Sequence, residues 1–299
     1  MTAPLDDDVP RSSAGIGGVS GSVPVPPRRE SVPWRRFVAV GDSFTEGLWD
    51  PPEDSGEVIQ RGWADRLAAA LAARLDDGEQ LQYANLAIRG RLLNKVLTEQ
   101  IPPALAMQPD LVAFGGGGND LLRLDSDVDR LLVKVERTVA RIRATGADVV
   151  MATCADPVYS PVIRRIRPKA AIYYLGVWSI ARRYGAHMVD LWGLAPLRDL
   201  RLWTGDRLHL TPEGHRRVAN AALVGLGLEP DDPDFGAPLP PPVTPPLSER
   251  VKTDAAWARD HLAPWIGRHM KGRSSGDGRS PKRPALAPVQ PYPARRGDG

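Results

Sequence analysis

Ser43 stands two residues after Gly41, which closes the apolar run Phe37-Val38-Ala39-Val40. Such a run reads as a short buried strand. In an α/β sheet the carboxyl ends of the strands open into the crevice where ligands bind. A hydroxyl held there is placed to act as a nucleophile. The surrounding residues are not a Gly-x-Ser-x-Gly elbow, because Thr45 occupies the place of the second glycine. A serine after a strand also serves as a turn or N-cap residue, so its chemistry depends on partners. Attack by serine near neutral pH needs a base, a group that orients the base, and donors for the oxyanion.

Histidine is the side chain that can cycle as that base, and the chain has five. His261 and His269 lie in a C-terminal segment beyond a proline-rich stretch. His187 opens an apolar run, which puts it at the amino edge of a strand. His215 follows Gly214 inside a helical pattern, where packing is its expected role. His209 lies on a loop three residues after Asp206, a spacing at which a carboxylate reaches the imidazole of the same turn. Asp206 and His209 are therefore the candidate base pair; taken alone, Asp-x-x-His equally describes two residues that shape a loop. Oxyanion donors are offered by Gly90, after a second strand-like run, and by Gly118-Asn119, after a third. Glycine permits close backbone approach, and an asparagine amide is a neutral donor. The run Gly115 to Gly118 could also be a flexible turn or a phosphate cradle, but no Lys-Ser/Thr pair follows it, which excludes a P-loop.

The elements that would position these residues alternate. Strand-like runs occupy residues 37–40, 81–87, 110–114, 148–153 and 187–191. Between them, Trp63, Leu67, Ala70, Leu71 and Leu75 recur at helical spacing, as do Leu131, Val135, Val139 and Ile142. Further helices are expected over about 92–101, ended by Pro102 and Pro103, over 170–184, and from Pro212 to about Leu226. Five strands alternating with helices predict a three-layer α/β/α domain around a five-stranded parallel sheet, flavodoxin-like in organisation.

Prolines and glycines, 30 and 29 in 299 residues, crowd both ends of the chain. Residues 1–33 read as a disordered tail, 34–229 as the catalytic domain and 230–247 as a stiff proline-rich linker. Residues 248–270 read as a short amphipathic helix carrying Trp257, Leu262, Trp265 and Ile266, and 271–299 as a basic disordered tail. The acidic N-terminus has no apolar h-region and no stretch has the length of a membrane span, so a cytoplasmic location is expected. The single cysteine, Cys154, reads as a buried core residue. Neither a His-Glu-x-x-His pattern nor paired cysteines occur, so no metal or other cofactor is expected. A net charge of +3 from 39 basic and 36 acidic residues is nearly balanced and excludes a polyelectrolyte binder as a whole.

Four blocks, in order, resemble the SGNH/GDSL hydrolase family: Gly41-Asp42-Ser43, Gly90, Gly117-Gly118-Asn119-Asp120 and Asp206-x-x-His209, over about Trp34 to Leu228. The first block ends in Phe44 where the family has leucine, at a packing position. The resemblance implies Ser43 as nucleophile, His209 as base and Asp206 as its orienter. It also implies an oxyanion hole of the Ser43 and Gly90 backbone N–H groups and the Asn119 amide. The expected activity is esterase or lipase-like hydrolysis of a small-molecule acyl ester. Tyr159, Trp178, Trp192 and Trp203 are candidates for lining an acyl pocket, or for core packing. Two other readings stand beside this one. The same triad could transfer the acyl group to a sugar or other hydroxyl. The basic tail, through residues such as Lys271, Arg279, Lys282 and Arg283, could bind nucleic acid or anionic lipid, although aromatics there are sparse and no nucleic-acid motif occurs.

Overall fold

The computed structural model describes residues 29–48, 50, 61–123, 125–160, 163–241, 259 and 275–289. In chain order the elements are β1 Arg36–Val40, α1 Ser43–Glu46, α2 Gly62–Ala72, β2 Gln82–Asn85, α3 Leu93–Lys95, a π-helical turn Val96–Gln100, α4 Ile101–Ala106, β3 Leu111–Phe114, α5 Gly118–Leu121, α6 Val128–Arg143, β4 Asp148–Ala152, α7 Arg167–Tyr184, β5 His187–Val189, α8 Pro212–Gly225 and β6 Arg283–Pro288, with short 3₁₀ turns between. The sheet order is β5-β4-β3-β1-β2-β6. The first five strands pair in parallel, Phe37 opposite Tyr83 on one side and Leu111 on the other. A parallel sheet needs cover on both faces, and β1 shows it. Phe37 and Ala39 join the core under α2 and α8, while Val38 and Val40 join the core under α6 and α7. Strand order reverses between β1 and β3, the switch point where such sheets bind their ligands.

The sheet differs from the five-stranded expectation by one strand. Residues 283–288, inside the segment read as a disordered basic tail, form β6 and pair antiparallel with β2. Composition hid it: the segment carries Pro284 and Pro288, residues that a strand tolerates at a sheet edge. Lys282, just before β6, and Arg283, its first residue, both donate to Asp65 of α2. Residues 230–241 of the expected linker also dock: Arg217 of α8 donates to the Phe235 and Ala237 carbonyls, at 2.8 and 2.6 Å. At the other end of the expected tail, Val32 is buried and the Arg29 N–H reaches the Gly227 carbonyl. The helix expected over 248–270 lies outside the described residues, apart from position 259.

Pro102 and Pro103 do not end their helix. They occupy the first turn of α4, and the chain passes into it through the π turn, where the Ile101 N–H reaches back five residues to the Val96 carbonyl. The wider turn relieves the ladder at the point where two missing N–H groups and two rings would otherwise disrupt it. No helix among the described residues is long and apolar enough to cross a membrane.

Candidate active site

Three loops at the carboxyl ends of the strands carry the site. The first is the turn from β1 into α1. Asp42 caps this short helix, its side chain accepting from the Phe44 N–H at 3.1 Å, and Ser43 is the first helical residue. The peptide of Gly41, just upstream, is clamped by the buried side chain of Gln100. The Gly41 N–H donates to Gln100 Oε1 at 2.7 Å, and Gln100 Nε2 donates to the Gly41 carbonyl at 2.9 Å. Gln100 sits in the π turn, which rotates it off the regular helical register. Sequence reasoning did not single it out, and its only signal was a polar residue in an apolar stripe next to two prolines.

The second loop follows β5. Thr204 N–H reaches the His209 carbonyl and Trp203 bridges Leu210, closing a tight loop between them. Asp206 folds back inside it: Oδ1 accepts from the Leu208 and His209 N–H groups and from Thr204 Oγ1, at 2.9, 3.0 and 2.8 Å. Its Oδ2 meets His209 Nδ1 at 2.7 Å, and His209 Nε2 lies 3.0 Å from Ser43 Oγ. Burial pushes the Asp206 carboxyl up, but the bonds from His209, Leu208 and Thr204 outweigh it and hold the group well below the usual carboxylate range. Asp206 therefore stays ionised beside the imidazole.

The third loop follows β3. Gly117 sits at φ +93°, and a Cβ there would lie 2.2 Å from Tyr173 Oη, so only glycine fits. It turns the chain so that Asn119 of α5 faces back toward Ser43. The Asn119 amide donates to Asp42 Oδ2 at 3.2 Å and to the Arg91 carbonyl at 3.0 Å, which engages both of its hydrogens in this state. Gly90, at φ +68°, lies in the loop after β2 and does not line the cavity described below. That loop is tied to the Ser43 helix by Arg89, whose N–H and guanidinium both donate to Glu46. The structure thus brings Ser43, Asp206, His209 and Asn119 together and sets Gly90 at the neighbouring corner.

The remaining described histidines stand elsewhere. His187 is at the amino edge of β5, 4.0 Å from Asp148. His215 is buried in α8, its Nδ1 accepting from the Trp63 N–H and its Nε2 donating to the Leu48 carbonyl. The bond accepted at Nδ1 requires the neutral ring, and burial brings its pKa down to about 4. An unfolded histidine titrates near ~6.5. Between these values the unfolded chain takes up a proton that the folded chain refuses. Stability is therefore full above pH ~6.5 and falls as the pH drops toward about 4, by about 3 kcal/mol from this residue. Urea unfolding across that range should show the loss in the wild type and a flatter curve for His215→Gln; parallel curves would remove His215 as its source.

Behind Ser43 a cavity of about 230 Å³ runs between α6, α7 and the ends of β3 and β4. Apolar groups dominate its wall, among them Leu121, Val135, Met151, Ile166, Ala170 and Val177. Tyr159 and Trp203, stacked at 4.3 Å, form part of the wall. Trp178 instead lies on the surface, and Trp192 packs under the Arg167 guanidinium. Cys154 also lines the cavity, half-buried rather than within the core, and burial pushes its thiol up to about 12, so it carries no thiolate near neutral pH. No group of His, Cys, Asp and Glu side chains among the described residues could hold a metal ion.

A model of the GDSL-like lipase/acylhydrolase family matches residues 39–217. Among solved structures, the fold is similar to a variant of an acetyl xylan esterase from Geobacillus stearothermophilus, with TM-score 0.56, 19% identity, and coverage of 67% of this chain and 98% of that one. It is also similar to an α/β hydrolase enzyme from the metagenome of Lake Arreo, Spain, with TM-score 0.55, 24% identity, and coverage of 64% and 95%. At these identities the likeness shows the fold. The comparison with curated proteins finds no match.

Proposed function

This chain belongs to the GDSL-like lipase/acylhydrolase family and is a carboxylic ester hydrolase; we propose that it works through an acyl-enzyme on Ser43. The observation that carries this reading is the unbroken line from Ser43 Oγ to His209 Nε2 at 3.0 Å and from His209 Nδ1 to Asp206 at 2.7 Å. His209 takes the Ser43 proton as Oγ attacks the ester carbonyl carbon. The carbonyl electron pair moves to the oxygen, which the Ser43 and Gly90 N–H groups and the Asn119 amide stabilise. Because Asp42 and Arg91 hold both Asn119 hydrogens at rest, the oxyanion competes with Asp42 for one of them. Collapse expels the alcohol, which leaves with the proton from His209. Water, deprotonated by the same imidazole, then attacks the acyl-enzyme, and collapse releases the acid and returns the proton to Ser43. Throughout, Asp206 fixes the tautomer and stabilises the imidazolium.

An alkyl fluorophosphonate tests the mechanism. It should add one phosphonyl group to the chain, mapped to the Ser43 peptide, and abolish hydrolysis. Full hydrolysis with no adduct, or an adduct on another residue, would remove Ser43 as nucleophile.

The apolar cavity supports an acyl chain longer than acetyl. A cavity of ~150 Å³ accepts benzene, so in proportion this one accommodates roughly nine carbons. Each methylene buried contributes about 0.8 kcal/mol, or about fourfold in kcat/KM per carbon. Hydrolysis of p-nitrophenyl esters should rise from acetyl to an optimum at roughly eight to ten carbons and then fall. An optimum at acetyl would show that the cavity does not receive the acyl group.

A further inference from the structure

The outer face of α7 exposes Ile172 and Leu175, at 61% and 70%, with Trp178 beside them. Positions three apart lie on one side of a helix, so the three form a continuous apolar stripe. The opposite side of α7 is already used: Ala170, Tyr173, Val177, Ile180 and Ala181 are buried in the core. A helix apolar on both sides normally has cover on both sides. Single exposed apolar residues need no explanation, whereas an aligned set of large ones marks an interaction surface.

Charge indicates what covers it. From Ile163 to Tyr184 the chain carries six cations, Arg164, Arg165, Arg167, Lys169, Arg182 and Arg183, and no carboxylate. Arg167 and Arg183 are committed to Asp156 and Glu136. Arg164, Arg165 and Arg182 are exposed at the two ends of the stripe. A second copy would bring the same positive rim against itself. The segment 250–273 of this chain, which carries Trp257, Leu262, Trp265 and Ile266, is cationic too: Arg250, Lys252, Arg259, Arg268, Lys271 and Arg273 against Asp254 and Asp260. Neither complements the face. A stripe on one side of a single helix suits a fluid surface better than a folded acidic protein. Bulky apolar residues with a tryptophan between cationic ends are what binds in the interface of an anionic bilayer.

We propose that the outer face of α7 docks on an anionic lipid surface, with Ile172, Leu175 and Trp178 entering the interface and Arg164, Arg165 and Arg182 meeting the headgroups. The stripe lies on the reverse of the helix whose inner side walls the cavity, so docking holds that helix at the lipid surface. The surface is independent of the serine chemistry and is tested without it.

The full chain is to be cosedimented with vesicles of phosphatidylcholine alone and of phosphatidylcholine mixed with phosphatidylglycerol, at low and high salt. Binding is expected to the anionic vesicles and to weaken with salt. Ile172→Ser/Leu175→Ser and Arg164→Gln/Arg165→Gln should each weaken binding at least ~10-fold. Both pairs are exposed and outside the catalytic groups, so hydrolysis of a short soluble ester should be unchanged. No binding to anionic vesicles at low salt overturns the proposal, as does equal binding to neutral ones. Binding kept by both variants places it elsewhere on the chain and overturns it too. A dimer in sedimentation equilibrium that Ile172→Ser/Leu175→Ser abolishes, without vesicle binding, assigns the stripe to a second copy instead.

Discussion

Ser43→Ala is expected to lower kcat on a p-nitrophenyl ester by roughly 10⁴- to 10⁶-fold while leaving the thermal unfolding of the chain unchanged. Ser43 Oγ is the atom that meets His209 Nε2, and its backbone cap is made by Asp42, so the substitution removes the nucleophile without removing the cap. His209→Ala should cost about as much, and the double variant hardly more, because nucleophile and base act as one unit. Asp206→Asn separates geometry from charge. The asparagine oxygen can keep the Leu208 and His209 N–H bonds made by Oδ1, so the loop should hold. Its NH₂ would then face His209 Nδ1 and force the other tautomer, with the Nε2 proton pointing at Ser43. A loss on the order of 10⁴ in kcat follows. Asn119→Ala, which removes one oxyanion donor, should cost about 10²- to 10³-fold. If Ser43→Ala retained most of the activity, the triad reading would be abandoned whatever the other variants did.

Asp65→Ala should destabilise the chain by about 3–5 kcal/mol, the typical cost of leaving one member of a buried ion pair without its partner. Asp65 is 4% exposed in α2, and Lys282 and Arg283 at the start of β6 both donate to it. Lys282 also reaches the Arg61 carbonyl at 3.0 Å. Burial acts on both members in the direction of neutrality, raising the Asp65 carboxyl and lowering the Lys282 ammonium, and each charge opposes that effect on the other. The pair is thus dear to desolvate but worse to break. Asp65→Leu/Lys282→Met, which removes the two buried charges and leaves only the part-exposed Arg283, should recover most of the loss. Urea unfolding of the three chains reads this directly. A neutral Asp65→Ala would mean that β6 does not dock on α2 and β2 in solution. The same dock borders the Gly90 loop, because Arg91 pairs with Asp277 and Gly276 lies against the Arg89 carbonyl. Residues 275–289 are therefore docked on the sheet rather than held as a free tail.

What the sequence determined by itself was the alternation of strands and helices and the register of the four blocks on it. The reason is local. Both-face-buried parallel strands are uniform apolar runs, and the loops after β1 and β3 are marked by glycine and polar residues that neither element tolerates inside. Asp206 and His209 were legible as a pair because their bond is closed within a single turn. The meeting of that turn with Ser43, 166 residues away, is a property of sheet order alone. Sheet order also decided that the loops after β1 and β3 flank one crevice, since the reversal between these strands leaves no mark in sequence. Gln100 was invisible because its job depends on a π turn that rotates it toward Gly41, a rotation no periodic pattern anticipates. The cavity exists only once α6 and α7 stand over the ends of β3 and β4. The sixth strand was lost for a related reason: its stability comes from an edge and a buried carboxylate supplied by segments some two hundred residues earlier, and composition counts only what lies nearby.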